Sequence, residues 1–187
     1  MFGIIDGVIS TRVGYCGGTK DSPTYHDLGN HAETIQIDYD SDKISYEKLF
    51  QLFWNMIDPY MESWSTQYAS ILFYHDDEQR NIFAKAKTEA EASGKKVQIA
   101  LKPYEKLYLA ENYHQKYYLQ NNSFFMKDFK EMFKTFKDFI NSTAAARVNG
   151  YIKGYGSMIQ LESEIDSLGL SEKNKAMLFD IVQGYQG

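Results

Sequence analysis

Tyr25 and Glu33 are the residues of this chain whose types and spacing best support chemistry. Tyr25 follows Ser22-Pro23-Thr24 in a loop, and Glu33 opens a strand-like segment after His31-Ala32, so a phenol and a carboxyl can project into one cleft. A carboxyl enclosed by aromatic, apolar walls favours its neutral form, because burial disfavours charge. Such a group donates a hydrogen bond or a proton near neutral pH. The plainer reading is a surface glutamate beside a packed tyrosine. Tyr68, after Ser65-Thr66-Gln67, is a further loop tyrosine, and most tyrosines so placed simply pack. His114, within Glu111-Asn112-Tyr113-His114-Gln115, is a general-base candidate set against a capped or solvated helix histidine. Cys16, between Tyr15 and Gly17-Gly18, is the single cysteine. A lone thiol is a small hydrophobe unless an electropositive neighbour activates it, and Arg12 and Lys20 are near it only in sequence.

The elements that must position these residues read as interleaved strands and helices. Residues 8–15 are rich in β-branched side chains and stop at the Gly17-Gly18 turn. Residues 32–39 alternate Thr34, Gln36 and Asp38 with Ile35, Ile37 and Tyr39, a half-buried strand pattern. Ser45 is placed to cap a helix whose apolar positions Tyr46, Leu49, Phe50, Phe53, Trp54 and Ile57 share a face, ended by Asp58-Pro59. Residues 69–74 have strand length. Asp76 with Gln79 resembles a capping box opening a helix to Gly94, and Val97, Ile99 and Leu101 alternate as another strand. The rest is helical. One stripe runs through Phe125, Phe129, Met132, Phe133, Phe136 and Ile140, flanked by lysines, as a docked surface helix. A second runs through Met158, Leu161, Ile165 and Leu168 to a stop at Gly169, and Ser171 caps a last helix. Asn149-Gly150 to Gly156 reads as a flexible joint. The class expected is α+β or α/β.

Bulk properties narrow the function. The 187 residues can bury a sizeable core, and 15 tyrosines with 12 phenylalanines suggest a core or cleft built from rings. A net charge of −5 argues against a nucleic-acid partner. No apolar run is long enough to span a bilayer, and the N-terminal residues lack a secretory pattern. One cysteine excludes an internal disulfide and favours a reducing, cytoplasmic compartment. His26, His31, His75 and His114 lack metal-ligand spacing, so no metal is expected.

Ordered short matches then carry a resemblance. They include Gly7-Val8, Thr11, Gly14-Tyr15, Gly17-Gly18, Pro23-Thr24-Tyr25, His31-Ala32-Glu33, Tyr39-Asp40 and Ile44-Ser45-Tyr46-Glu47. They continue through Phe53-Trp54, Asp58-Pro59, Thr66-Gln67-Tyr68, Glu78-Gln79, Ala110-Glu111 and His114-Gln115. From Gly7 to about Leu119 the chain resembles the type A peptide methionine sulfoxide reductases. The resemblance implies an α+β fold, a mixed sheet in a two-layer α/β sandwich, over residues 1–123, with a helical C-terminal extension over 124–187. It implies reduction of free or peptide-bound methionine-S-sulfoxide, a protein-repair reaction of oxidative stress. Glu33 matches the acid to the sulfoxide oxygen, and Tyr25 and Tyr68 match the two tyrosines that hydrogen-bond it. The implied reductant is thioredoxin or another external thiol, with no bound cofactor, and the chain is expected to be a monomer.

The departures are as informative. The family's Gly-Cys-Phe-Trp segment, whose cysteine is the nucleophile, has no counterpart among these residues and would fall before Met1 by alignment. The expectation is therefore a reductase sequence incomplete at its N-terminus and inactive as written, with Cys16 a weak substitute nucleophile. The alternative is an inactive homologue that binds methionine sulfoxide or protein partners; a third reading gives the helical extension a role in assembly. The loop from Asp58 to Thr66 is also shorter than usual and lacks an acidic residue before Thr66-Gln67-Tyr68.

Overall fold

The computed structural model describes residues 1–186, and the last residue of the expected C-terminal segment, 187, lies outside them. The chain forms two compact units. Unit 1 takes Met1–Arg12, Ile35–Asp40 and the chain from Glu111 onward, and unit 2 takes Val13–Thr34 and Ser41–Ala110. Strands β1 (Val8–Cys16) and β2 (Ala32–Tyr39) give residues to both. With the two-residue β5 (Tyr108–Leu109) they form a sheet in the order β2-β1-β5, β5 running antiparallel to β1. A parallel pair, β3 (Ile71–Tyr74) and β4 (Ala100–Pro103), is the other sheet. The mixed strand directions and the surrounding helices make the class α+β, as expected.

In unit 2, helix α1 (Tyr46–Met56) begins where Ser45 accepts a hydrogen bond from the Lys48 N–H. It ends at Met56, with Ile57 already extended at φ −115° and ψ 157° ahead of Asp58-Pro59. Its apolar face meets α2 (Asp77–Glu91): the Phe50 and Trp54 rings lie 6.4 and 6.1 Å from Phe83. Asp76 caps α2 through the Gln79 N–H, but Gln79 returns its side chain to the His75 N–H instead of the Asp76 N–H of a standard box. The strand expected through Val97, Ile99 and Leu101 needs correction, because β4 starts only at Ala100. Val97 and Ile99 are buried against Phe50 and Phe83, yet the Val97 N–H goes to the Glu91 carboxylate and the Gln98 N–H to the Pro59 carbonyl. Alternating burial arose there without a ladder.

Unit 1 is helical, with α3 (Tyr117–Gln120), α4 (Ser123–Met132), α5 (Phe136–Asn141), α6 (Thr143–Ile152), α7 (Met158–Glu164) and α8 (Glu172–Gln186). The single stripe expected from Phe125 to Ile140 is two helices. Thr135 restarts the chain by accepting the Asp138 N–H and donating its hydroxyl to the Asp138 carboxylate. Phe129 and Phe139 still meet edge to face across the break, 5.8 Å apart. Gly169 adopts φ 70° past the turn Ile165–Leu168, the left-handed stop its position predicts. The Asn149-Gly150 joint is also corrected: both residues lie inside α6, where the Asn149 side chain accepts the Leu119 N–H at 3.1 Å. Gly150 is needed for closeness, since a Cβ there would sit 2.5 Å from Ile4 Cγ2.

Two buried charges mark this unit. Arg147 on α6 pairs with Glu164 at 3.2 Å and donates to the Gly3 carbonyl at 3.4 Å. Tyr151 donates to the same Glu164, and burial followed by that carboxylate raises its phenol pKa well above the ordinary value. Lys116 has left-handed backbone, φ 46°, and its Nζ donates to the carbonyl and hydroxyl of Thr11. Burial first, then Arg12, lowers its pKa to about 7, with Asp38 opposing.

Two outcomes are expected. Gly150→Ala gains helix propensity of about 1 kcal/mol but overpacks Ile4 at a cost of about 1–3 kcal/mol, so urea denaturation should show a net loss of up to about 2 kcal/mol; a flexible joint would instead be stabilised. For Lys116 the folded pKa of about 7 lies below the ordinary 10.5. Between those values the unfolded chain holds more protons, so stability rises with pH. Wild type should gain stability relative to Lys116→Met from pH 7 to 10.5, and a gap that stays flat in paired urea titrations would contradict this.

Candidate functional site

β1 ends at Cys16, and the chain turns through Gly17 at φ 80°. A Cβ on Gly17 would lie 2.6 Å from the Phe73 ring, so conformation and packing both require glycine. Gly18 donates its N–H to Nδ1 of the buried His31 at 3.1 Å. Nε2 of that ring lies 2.8 Å from the Lys20 carbonyl, which can only accept. His31 therefore accepts through Nδ1 and donates through Nε2, pinning one end of the loop to the other. Within the loop Thr24 and Asp27 exchange backbone bonds at 3.2 and 3.0 Å, and Lys20 pairs with Asp27. Tyr25 stands on this tightened turn, edge-on to His26 with ring centroids 5.4 Å apart.

Glu33 follows at the start of β2. Its N–H donates to the Gln67 carbonyl at 3.0 Å, and its Oε1 accepts from Gln67 Nε2 at 2.8 Å. One glutamine thus fixes the loop before β3 to the start of β2, by backbone and by side chain. Tyr68 comes next in the chain and is hydrogen-bonded to Tyr25. That bond is the largest cause raising the Tyr68 pKa; the charge of Tyr25, slight burial and the Glu33 carboxylate add to it. A phenol so held keeps its proton and remains a donor.

Tyr25, Glu33 and Tyr68, picked from sequence, therefore come together within unit 2. The enclosure expected for Glu33 does not occur: the residue is solvent-exposed, and Tyr25 and Tyr68 are 36% and 45% exposed. The carboxylate is instead bonded to Gln67 at the surface. Cys16 is 1% exposed. Burial raises its thiol pKa, outweighing backbone bonds from Gly17, Lys106 and Glu105 that lower it, and the Glu105 charge raises it further. It has the setting of a packed thiol, poor in thiolate. His114 sits in a short 3₁₀ turn, Asn112–His114, where a helix start was expected, with Nε2 3.9 Å from Glu111.

Sequence reading passed over Gln67, His31 and Trp64 as functional side chains. Gln67 and His31 were visible only as parts of short motifs, and what each would bond depends on pairings across the fold. Trp64 stacks obliquely on Tyr68, ring centroids 5.0 Å apart, in a loop with no periodic pattern. Among the described residues no group of three His, Cys, Asp or Glu side chains could hold a metal ion, and no helix is long and apolar enough to cross a membrane.

An α+β fold with a glycine turn feeding a tyrosine–glutamate–tyrosine cluster defines a recognisable class. The chain belongs to the peptide methionine sulfoxide reductase family, whose sequence model matches residues 1–147. A second model, the helical domain of selenoprotein methionine sulfoxide reductase A, matches residues 137–183. A peptide methionine sulfoxide reductase of Drosophila melanogaster is 33% identical over 191 residues, covering 100% of this chain and 76% of that protein. A crystal structure of a Saccharomyces cerevisiae protein in reduced form superposes with a TM-score of 0.55 at 32% identity, over 63% of this chain and 73% of that one. Methionine sulfoxide reductase A of Corynebacterium diphtheriae gives a TM-score of 0.52 at 26% identity, over 63% and 66%.

His31→Phe keeps the ring but removes both bonds, leaving the Gly18 N–H without its acceptor. The expected cost is about 1–3 kcal/mol in urea denaturation. An unchanged midpoint would show that the loop carrying Tyr25 does not depend on His31.

Proposed function

We propose that the chemistry this chain serves is the reduction of methionine-S-sulfoxide, free or in polypeptides, and that residues 1–187 supply its oxygen site through Tyr25, Glu33 and Tyr68. The observation that supports this reading is the grouping of Tyr25, Glu33 and Tyr68 within unit 2, with Tyr68 hydrogen-bonded to Tyr25 and Glu33 held by Gln67. Sulfoxide sulfur is a poor electrophile until its oxygen is hydrogen-bonded or protonated. Two phenol hydroxyls at one point supply that stabilisation as charge moves onto oxygen, and Glu33 adds a hydrogen bond when its carboxyl carries a proton. A thiolate then attacks sulfur, and the S–O bond breaks. Methionine leaves with its sulfur reduced, while the thiol sulfur carries the oxygen as a sulfenic acid. A second thiol condenses with it, releasing water and forming a disulfide that thioredoxin or another external thiol reduces.

The thiolate in this scheme is not Cys16, whose burial and raised pKa both oppose attack. Residues 1–187 alone therefore bind sulfoxide without turning it over. The helices from Phe124 onward close their apolar side chains on one another and contribute no residue to this scheme.

Titration with N-acetyl-methionine-S-sulfoxide amide tests the oxygen site. Wild type should bind the sulfoxide in preference to methionine, and Glu33→Gln or Tyr68→Phe should weaken it about tenfold. Equal affinity for sulfoxide and methionine would overturn the reading. Incubation with dithiothreitol should give no methionine from residues 1–187, whereas turnover lost in Cys16→Ser would make Cys16 the nucleophile.

A further inference from the structure

We propose that Trp64 forms a subsite for an apolar side chain next to the oxidised methionine, so that the protein selects sulfoxides within polypeptides of hydrophobic sequence. This inference rests on the oxygen-site reading above. Trp64 is 83% exposed and Met61 67%, the two most exposed large apolar side chains of unit 2. A tryptophan is expensive to leave in water, and its exposure marks a contact surface more strongly than an exposed aliphatic residue does.

The loop that displays them is built, not loose. Asp58 accepts the Tyr60 and Met61 N–H groups at 3.0 and 3.2 Å. The Tyr60 hydroxyl donates to the Ala90 carbonyl at 3.1 Å, and the Pro59 carbonyl accepts the Gln98 N–H at 2.8 Å. Ser63 donates its hydroxyl to the Ser65 carbonyl at 2.7 Å, closing a tight bend around Trp64. An aromatic ring held outward on such a scaffold is pre-organised, and little entropy is lost when a ligand covers it.

Continuity with the oxygen site names the occupant. The Trp64 ring centroid lies 5.0 Å from that of Tyr68, whose hydroxyl is bonded to Tyr25. An extended peptide advances roughly 3.3 Å per residue. With its sulfoxide oxygen on Tyr68, a residue one or two positions away reaches the indole. Glu62 is the one charged residue between Pro59 and Tyr68, and its Oε1 is engaged by Gln98 Nε2 at 3.3 Å. That bond draws the Glu62 carboxylate toward Gln98, and the apolar element offered beside Tyr68 is the Trp64 ring, which fits a hydrophobic side chain of an unfolded segment.

The test measures affinity for N-acetyl-methionine-S-sulfoxide amide and for an acetylated pentapeptide with phenylalanine on both sides of the sulfoxide. Wild type should prefer the pentapeptide about tenfold. Trp64→Ala should bring that ratio close to one, and Trp64→Phe should retain most of it. An equal ratio in wild type and Trp64→Ala overturns the subsite. A dimer in sedimentation equilibrium that dissociates in Trp64→Ala overturns it too, by giving the patch to a second copy of the chain. The same pentapeptide carrying unoxidised methionine separates the two readings. If it binds as tightly as the sulfoxide form and loses affinity in Trp64→Ala, the subsite stands and the oxygen site falls.

Discussion

Two hydrogen bonds between Glu33 and Gln67 join the start of β2 to a loop 34 residues further along the chain. Each contributes modestly, about 0.5–1.5 kcal/mol net, but together they fix translation and rotation of the loop. The backbone bond places Tyr68 beside Glu33, and the side-chain bond aims the carboxylate. Tyr25 arrives from the other direction on a turn tightened by His31. A cluster built from loops and strand ends is thus positioned by polar bonds at its edges.

Unit 1 uses polar groups differently. Arg12 lies on β1, where it donates to Gln36 at 3.1 Å, to Asp38 at 2.7 Å and to Asn141 at 2.6 Å. Lys116 enters the same neighbourhood as a second cation, and burial beside Arg12 is what depresses its pKa. Both charges are bonded, which keeps the penalty of burying them tolerable. Such networks specify one arrangement of strand and helix where apolar contacts alone would allow sliding.

Much of this was legible in the residues. Ser45 caps its helix and Gly169 takes the left-handed stop, because both signals are local and depend on one side chain. The Tyr25, Glu33 and Tyr68 grouping was legible only through resemblance, since residues from separate loops carry no shared period. Val97 and Ile99 alternate like a strand, but the backbone donors of Val97 and Gln98 found Glu91 and Pro59 first. Gly150 read as a joint because glycine is read locally as freedom; its reason here is the approach of Ile4, 146 positions earlier in the sequence. The exposure of Glu33 could not be read at all, because it depends on where Gln67 holds the carboxylate.

The contacts of Arg147 with Gly3 and of Gln160 with Ile4 span 144 and 156 residues of sequence. Unit 1 is therefore stitched from segments synthesised far apart in time, whereas unit 2 draws nearly all its residues from one earlier stretch. On the ribosome the first twelve residues must wait for α6 and α7 to emerge before they find their partners. Closing so long a loop is slow, and the apolar Phe2 and Ile4 stay uncovered until it happens. The Phe50–Phe83 core can settle first, leaving closure of the helical unit as the later step.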